Sequence, residues 1–183
     1  LWLSGGTLAA LGNLTNALTV TLTNSPGPGL ATVDSSTNTF LQSGLLTGPG
    51  GLAKAGAGQM TLTQDNDFTG ETRVNAGTLA LQGAGSLDGS TLITVATGAT
   101  LGVSARTDGS LNLAVSQTLV GGGTVLGSVT NLGSVQPGQL VGTLSVSGDY
   151  DQAGGGTLAV QLSGIGHDVL AVGGTAALGG VLD

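Results

Sequence analysis

The feature that most constrains this chain is how its apolar residues arrive. They come in short bursts that alternate with Thr or Ser, and each burst is closed by Gly or Asn. Thr78-Leu79-Ala80-Leu81, Thr143-Leu144-Ser145-Val146 and Thr157-Leu158-Ala159-Val160-Gln161-Leu162 all alternate with period two, as do residues 18–22 and 60–63. That is the period of a strand with one buried face, in runs of about four to six residues. Thr and Val beside Leu suit a pleated, half-buried surface. A helical reading fails because strong helix formers are scarce and 36 glycines recur along the chain. Each glycine costs about 1 kcal/mol in a helix interior.

The spacing of the bursts narrows the fold further. Gly-Thr-Leu or a close variant recurs at Gly6, Gly77, Gly142 and Gly156, with echoes at Gly98 and Gly174. Further short strands lie between these anchors, so one structural turn takes about 20–25 residues, the range of a solenoid. The main competitor is a β-sandwich, which usually buries several aromatics and shows a charged outer face. This chain has two Phe, one Trp, one Tyr and 7% charged residues. The expected fold is therefore all-β: a right-handed single-stranded parallel β-helix of about eight or nine rungs. Rungs spaced about 4.8 Å apart give a rod of roughly 40 Å. One domain spans 1–183, with less regular rungs over 1–47, a tighter repeat over 48–82 and further rungs over 83–183. Asn24-Ser25-Pro26-Gly27-Pro28-Gly29 reads as a loop. Leu132, Val135, Leu144, Val146, Leu158, Val160 and Leu162 are expected to point inward.

Composition bounds the function. Three Lys+Arg against ten Asp+Glu give a net charge of −7. Lys54, Arg73 and Arg106 are too scattered to neutralise a phosphate backbone, and the few aromatics offer no stacking platform, so nucleic acid is not an expected partner. The same shortage of cations argues against an anionic membrane surface. No run reaches the roughly 20 apolar residues of a membrane-spanning helix. The first residues lack Met and a charged n-region, so the chain reads as an internal or processed piece of something longer. Zero cysteines remove disulfides and thiolate chemistry.

Candidate chemistry is sparse. His167 is the single histidine, and it follows Gly164-Ile165-Gly166 at what reads as a corner. Gly164-Ile165-Gly166-His167-Asp168-Val169-Leu170 fits most of one calcium-repeat copy, but such sites need consecutive copies. Asp65, Asp67 and Glu71, with Arg73 nearby, form the densest acidic group. A carbohydrate-active β-helix enzyme would cluster such carboxylates around a cation. Alternation places some of them on opposite faces, which favours a solvated turn. Asp149 and Asp151 bracket Tyr150 at a strand edge. Gly121-Gly122-Gly123 and Gly48-Pro49-Gly50-Gly51 lack the following helix and Lys-Ser/Thr of a phosphate loop, and read as tight corners. No catalytic, cofactor or metal residues are assigned, and the chain is expected not to be an enzyme.

Residues 48–82, GPGGLAKAGAGQMTLTQDNDFTGETRVNAGTLALQ, resemble the passenger-associated transport repeat of autotransporters. That pattern runs G-L-x-K-x-G-x-G-x-L-x-L, then a polar stretch with aromatic-T-G, then T-x-V-x-x-G-T-L. Leu52, Lys54, Gly56, Gly58, Leu62, Phe68, Thr69, Gly70, Thr72, Val74, Gly77, Thr78 and Leu79 match it, while Met60 and Glu71 depart mildly. Residues 135–144, Gly148-Asp149-Tyr150-Asp151-Gln152, residues 168–172 and residues 177–182 are similar to the last passenger rungs of that family. The resemblance implies a structural stalk or adhesin segment displayed at the outer membrane of a Gram-negative bacterium. It implies that the C-terminal rungs assist folding and export, and that a β-barrel of the same parent chain is the partner. Self-association through Thr/Asn-rich flanks is the alternative function.

Overall fold

In the computed structural model, described over residues 1–23, 30–164 and 166–183, the chain winds into a parallel β-helix. The loop expected over residues 24–29 lies outside the described residues. One face is a 9-stranded sheet whose order follows the chain from Thr7–Ala9 through Leu52–Ala55, Thr72–Val74 and Thr118–Gly121 to Val181–Leu182. A second face stacks 8 strands, from Leu14–Asn16 to Val169–Val172. The third face is a 3-stranded sheet in the early rungs and a 4-stranded sheet from Ser110–Leu113 to Ala176–Leu178 in the late ones. Residues 63–71 and 84–91 cross the third face between these sheets without forming strands.

Register gives the rung length directly. Thr32 pairs with Ala53, Ala53 with Arg73 and Thr72 with Ile93, advances of 21, 20 and 21 residues. On this face the longest step is 26, from Ile93 to Leu119, and the shortest is 16, from Leu119 to Val135. The excess residues go into corners and, between Ala80 and Gln82, into a register shift against Thr100–Arg106. Gly77 shows what a corner requires. Its φ is +64°, and a Cβ there would run into the carbonyl oxygens of Gly56 and Gly58 in the rung below. Only glycine fits both the backbone angle and the gap.

The core is a set of vertical ladders. Ala31, Leu52, Ile93, Leu119, Val135 and Leu158 stack on the first face, and Phe40, Met60, Leu79, Leu101, Val125 and Val146 on the second; all are buried. Each such side chain contributes about 1.5–3 kcal/mol on burial. Rungs sharing these ladders support one another with few aromatics, of which Phe40, Phe68 and Tyr150 are buried.

Of the residues expected inward, Val135, Leu144, Val146 and Leu158 are buried and Val160 packs against the core. Leu132 and Leu162 are not inward, being 41% and 82% exposed. Leu132 falls on the corner after Ser128–Asn131, where Asn131 already fills the inward position. The strand expected to run on to Leu162 ends at Leu158, and Leu162 belongs instead to a detour in which Leu162–Ser163 and Gly166–His167 pair antiparallel.

Candidate functional site

The most unusual side chain is Lys54. It lies on the inward row of the first face, paired with Val33 below and Val74 above, and is fully buried. Its Nζ donates to the carbonyls of Ala55 (2.7 Å), Gly56 (2.8 Å) and Ala76 (3.2 Å). The ammonium has three donors, and the corner it faces supplies three acceptors from two successive rungs. Burial pushes its pKa below the ordinary 10.5, with the Asp34 carboxylate opposing that shift.

A second buried polar set replaces the missing ladder on the third face. Asn66 Oδ1 accepts from the Leu46 amide at 2.9 Å, the Asn66 amide donates to Ser86 Oγ at 3.0 Å, and Asn66 Nδ2 donates to the Ser86 carbonyl at 3.2 Å. Ser86 Oγ donates to Asp65 at 2.6 Å. Across the same rung interval, Ser90 Oγ donates to the Gly70 carbonyl and sits 2.8 Å from Thr72 Oγ1, and one rung further on Gln117 Nε2 reaches the carbonyls of Leu87 and Ser90. Side chains thus satisfy the backbone groups that a β-ladder would otherwise pair.

Inward amides do the same at other corners. Gln42 Nε2 donates to the carbonyls of Leu18 and Gly44, Asn131 Nδ2 to Tyr150 Oη and the Thr157 carbonyl, and Gln152 Nε2 to the carbonyls of Gly156 and Val181. Burial pushes the Tyr150 phenol above its usual 10.0, against the Asn131 hydrogen bond. Asn131 Oδ1 and Ser110 Oγ are buried without partners. On the surface, the hydrogen bond from Arg106 does most to hold the Asp108 carboxyl down at about 2.

Sequence reading missed these inward polar residues. Lys54 stood in the repeat as a motif position, with nothing to say which way it faced. The amides had a signal, since Gln42, Asn131 and Gln152 each stand two residues before a glycine, at the end of a strand.

The residues weighed for chemistry are not brought together. His167 is exposed in the antiparallel detour, whereas Asp168 is buried and its two oxygens accept from the Gly142 and Gln161 amides, each at 2.9 Å. Asp65 bonds Ser86, Asp67 is exposed, and Glu71 pairs with Arg73 at 3.0 Å. Asp149 accepts from the Thr175 amide at 2.7 Å while Tyr150 points inward between Val129 and Ala176. Gly48 and Gly121 are corner glycines with positive φ.

The chain is a parallel solenoid in which Lys54 and the inward amides bond to its own corners. Residues 52–81 match the passenger-associated transport repeat family, the stretch that holds Lys54, Asn66, Phe68 and Thr72. The chain is 36% identical over 163 residues to the adhesin BmaC autotransporter of Brucella suis biovar 1 (strain 1330), a match covering 85% of this chain and 5% of that protein. It therefore spans only a small part of the relative it matches. No solved structure matches the chain. The chain is an autotransporter-passenger-like β-helix that carries this repeat.

Proposed function

We propose that this chain is a non-enzymatic stalk or adhesin segment within a surface-displayed passenger on the outer membrane of a Gram-negative bacterium. The observation that carries this reading is the uninterrupted stack, a 9-stranded parallel face whose inner rows are apolar apart from Lys54 and Thr72 in the early rungs. Such a stack converts sequence length into distance from an anchor at about 4.8 Å per rung. The repeat family and the adhesin relative support the same reading. In the parent chain, the partner is an outer-membrane β-barrel, and the late rungs assist folding by offering a formed edge to the next rung. A solenoid grows by neighbour addition, so a stable end lowers the cost of starting.

Refolding from urea tests this. Val146→Asp in a late rung is expected to block refolding of the whole chain. Leu22→Asp in an early rung leaves late-rung amides protected from hydrogen exchange. Equal damage from both variants would overturn the assisting role. A second reading, self-association, rests on the in-register outward row Thr39, Gln59, Thr78, Thr100, Thr124 and Ser145. Sedimentation velocity separates the two: a concentration-independent monomer supports the stalk, and a growing species supports self-association.

A further inference from the structure

Where the first and second faces meet, the chain leaves an open groove of about 550 Å³ that the stalk reading does not use. Its floor is an outward row on successive rungs, Arg73 paired with Thr94 and Thr94 with Val120. Its wall is the segment Gln139-Leu140-Val141, which follows Ser134–Pro137. That wall is anchored at both ends. The Gly138 amide donates to the Gly121 carbonyl at 2.8 Å, and the Gly142 amide is held by Asp168. Leu140 is 81% exposed and Val141 42%, so a fixed wall presents aliphatic surface to solvent. Such a wall can partly withdraw an apolar side chain from water.

The electrostatics of this groove differ from those of the rest of the rod. The chain carries a net charge of −7, yet no Asp or Glu lines the groove. Of the three cations, Lys54 is buried and Arg106 is engaged by Asp108 through Nε and Nη2 and by the Gly85 carbonyl through Nη1. Arg73 is half exposed and uses Nη2 alone, for both oxygens of Glu71. Its Nε and Nη1 have no partners among the described residues. A guanidinium fork with donors to spare is suited to a carboxylate.

We propose that this groove binds an extended peptide that carries an aliphatic side chain for the Leu140–Val141 wall and a carboxylate for Arg73. The two anchors are two to three rungs apart, about 10–14 Å, which an extended chain spans in about four residues. The peptide therefore carries its aliphatic and acidic residues at i and i+4. Glu71 competes for Arg73 and sets how open the site is. The proposal does not depend on the stalk role, and it gives a passenger rod a partner-binding surface.

Fluorescence anisotropy with labelled peptides on the full chain tests it. With every C-terminus amidated, Leu-Ser-Ser-Ser-Glu is expected to bind about threefold tighter than Leu-Ser-Ser-Ser-Lys or Leu-Glu-Ser-Ser-Ser, in keeping with an exposed ion pair. Arg73→Ala removes that preference, Leu140→Ser weakens both spaced peptides, and Glu71→Gln tightens the acidic one. The preference shrinks at high salt. Thermal unfolding of the three variants, all at solvent-accessible positions, confirms that they remain folded. No saturable binding up to millimolar peptide, equal binding of the Glu and Lys peptides, or indifference to Arg73→Ala overturns the proposal. None of these outcomes bears on the refolding and sedimentation results that decide the stalk reading.

Discussion

Leu132 lies at the corner between Ser128–Asn131 and Ser134–Pro137, Leu144 lies within the strand Thr143–Val146 that follows, and the helix treats them oppositely. Leu144 is fully buried in register with Leu170, while Leu132 stands out at a turn. Leu144→Asp places a carboxylate in an apolar bore and is expected to cost more than about 4 kcal/mol, whereas Leu132→Asp changes stability by less than about 0.5 kcal/mol. Urea denaturation of both variants checks this; equal effects would overturn the inward row drawn through Leu144. The pair also shows what single residues disclose. Alternation tells which residues share a face but not where a strand ends, and at residues 131–133 the inward position is filled by a polar Asn whose Nδ2 donates to Tyr150 Oη and the Thr157 carbonyl. A reading that counts only apolar residues as core moves the row one place over, onto Leu132. Lys54 was hidden for a related reason. Only the three carbonyls converging on it make a buried ammonium acceptable, and they come from residues 55, 56 and 76, which sequence alone does not bring together.

At the scale of elements, the strands were legible and the strandless stretch of the third face was not. The first and second faces follow from period two and from glycine spacing. Residues 63–71 and 84–91 have neither, and they stack through Asn66, Ser86, Ser90 and Gln117 instead. The repeat motif marks this region by its polar stretch, but the role of that stretch appears only when Ser86 is seen one rung above Asn66. Asn66→Leu keeps similar bulk while removing the acceptor for the Leu46 amide and the donor for the Ser86 carbonyl. Each orphaned buried group costs about 1–3 kcal/mol. The loss should be local, because the flanking faces keep their own ladders. Hydrogen exchange is therefore expected to quicken at Leu46, Asn66 and Ser86 while Leu79 and Ile93 stay protected. Uniform acceleration across all three faces would mean that the side-chain spine is not a separate element.

The whole molecule is acidic and apolar-cored, with two buried titratable groups that shift in opposite senses and together shape its alkaline stability. The Lys54 pKa is lowered in the fold by burial. Between that lowered value and 10.5, the unfolded chain binds more protons than the folded one, so stability rises with pH across this window. The Tyr150 pKa is raised above 10.0 by burial. Above 10.0 the folded chain holds the proton that the unfolded chain has lost, so the Tyr150 contribution, complete below that point, is lost as pH climbs through the folded value. Stability is therefore expected to climb as pH rises from the lowered Lys54 value toward 10 and to turn down beyond it, although like-charge repulsion in a chain of net charge −7 would favour a decline throughout. Urea midpoints by far-UV circular dichroism at pH 7, 8.5, 10 and 11 trace the curve. Lys54→Met should flatten the rising limb, since a thioether has no proton to lose. Tyr150→Phe should flatten the fall above pH 10 while lowering the whole curve, because Asn131 Nδ2 then keeps only the Thr157 carbonyl. A rising limb that persists in Lys54→Met would assign the alkaline gain to another group and leave the buried lysine as a purely structural clamp.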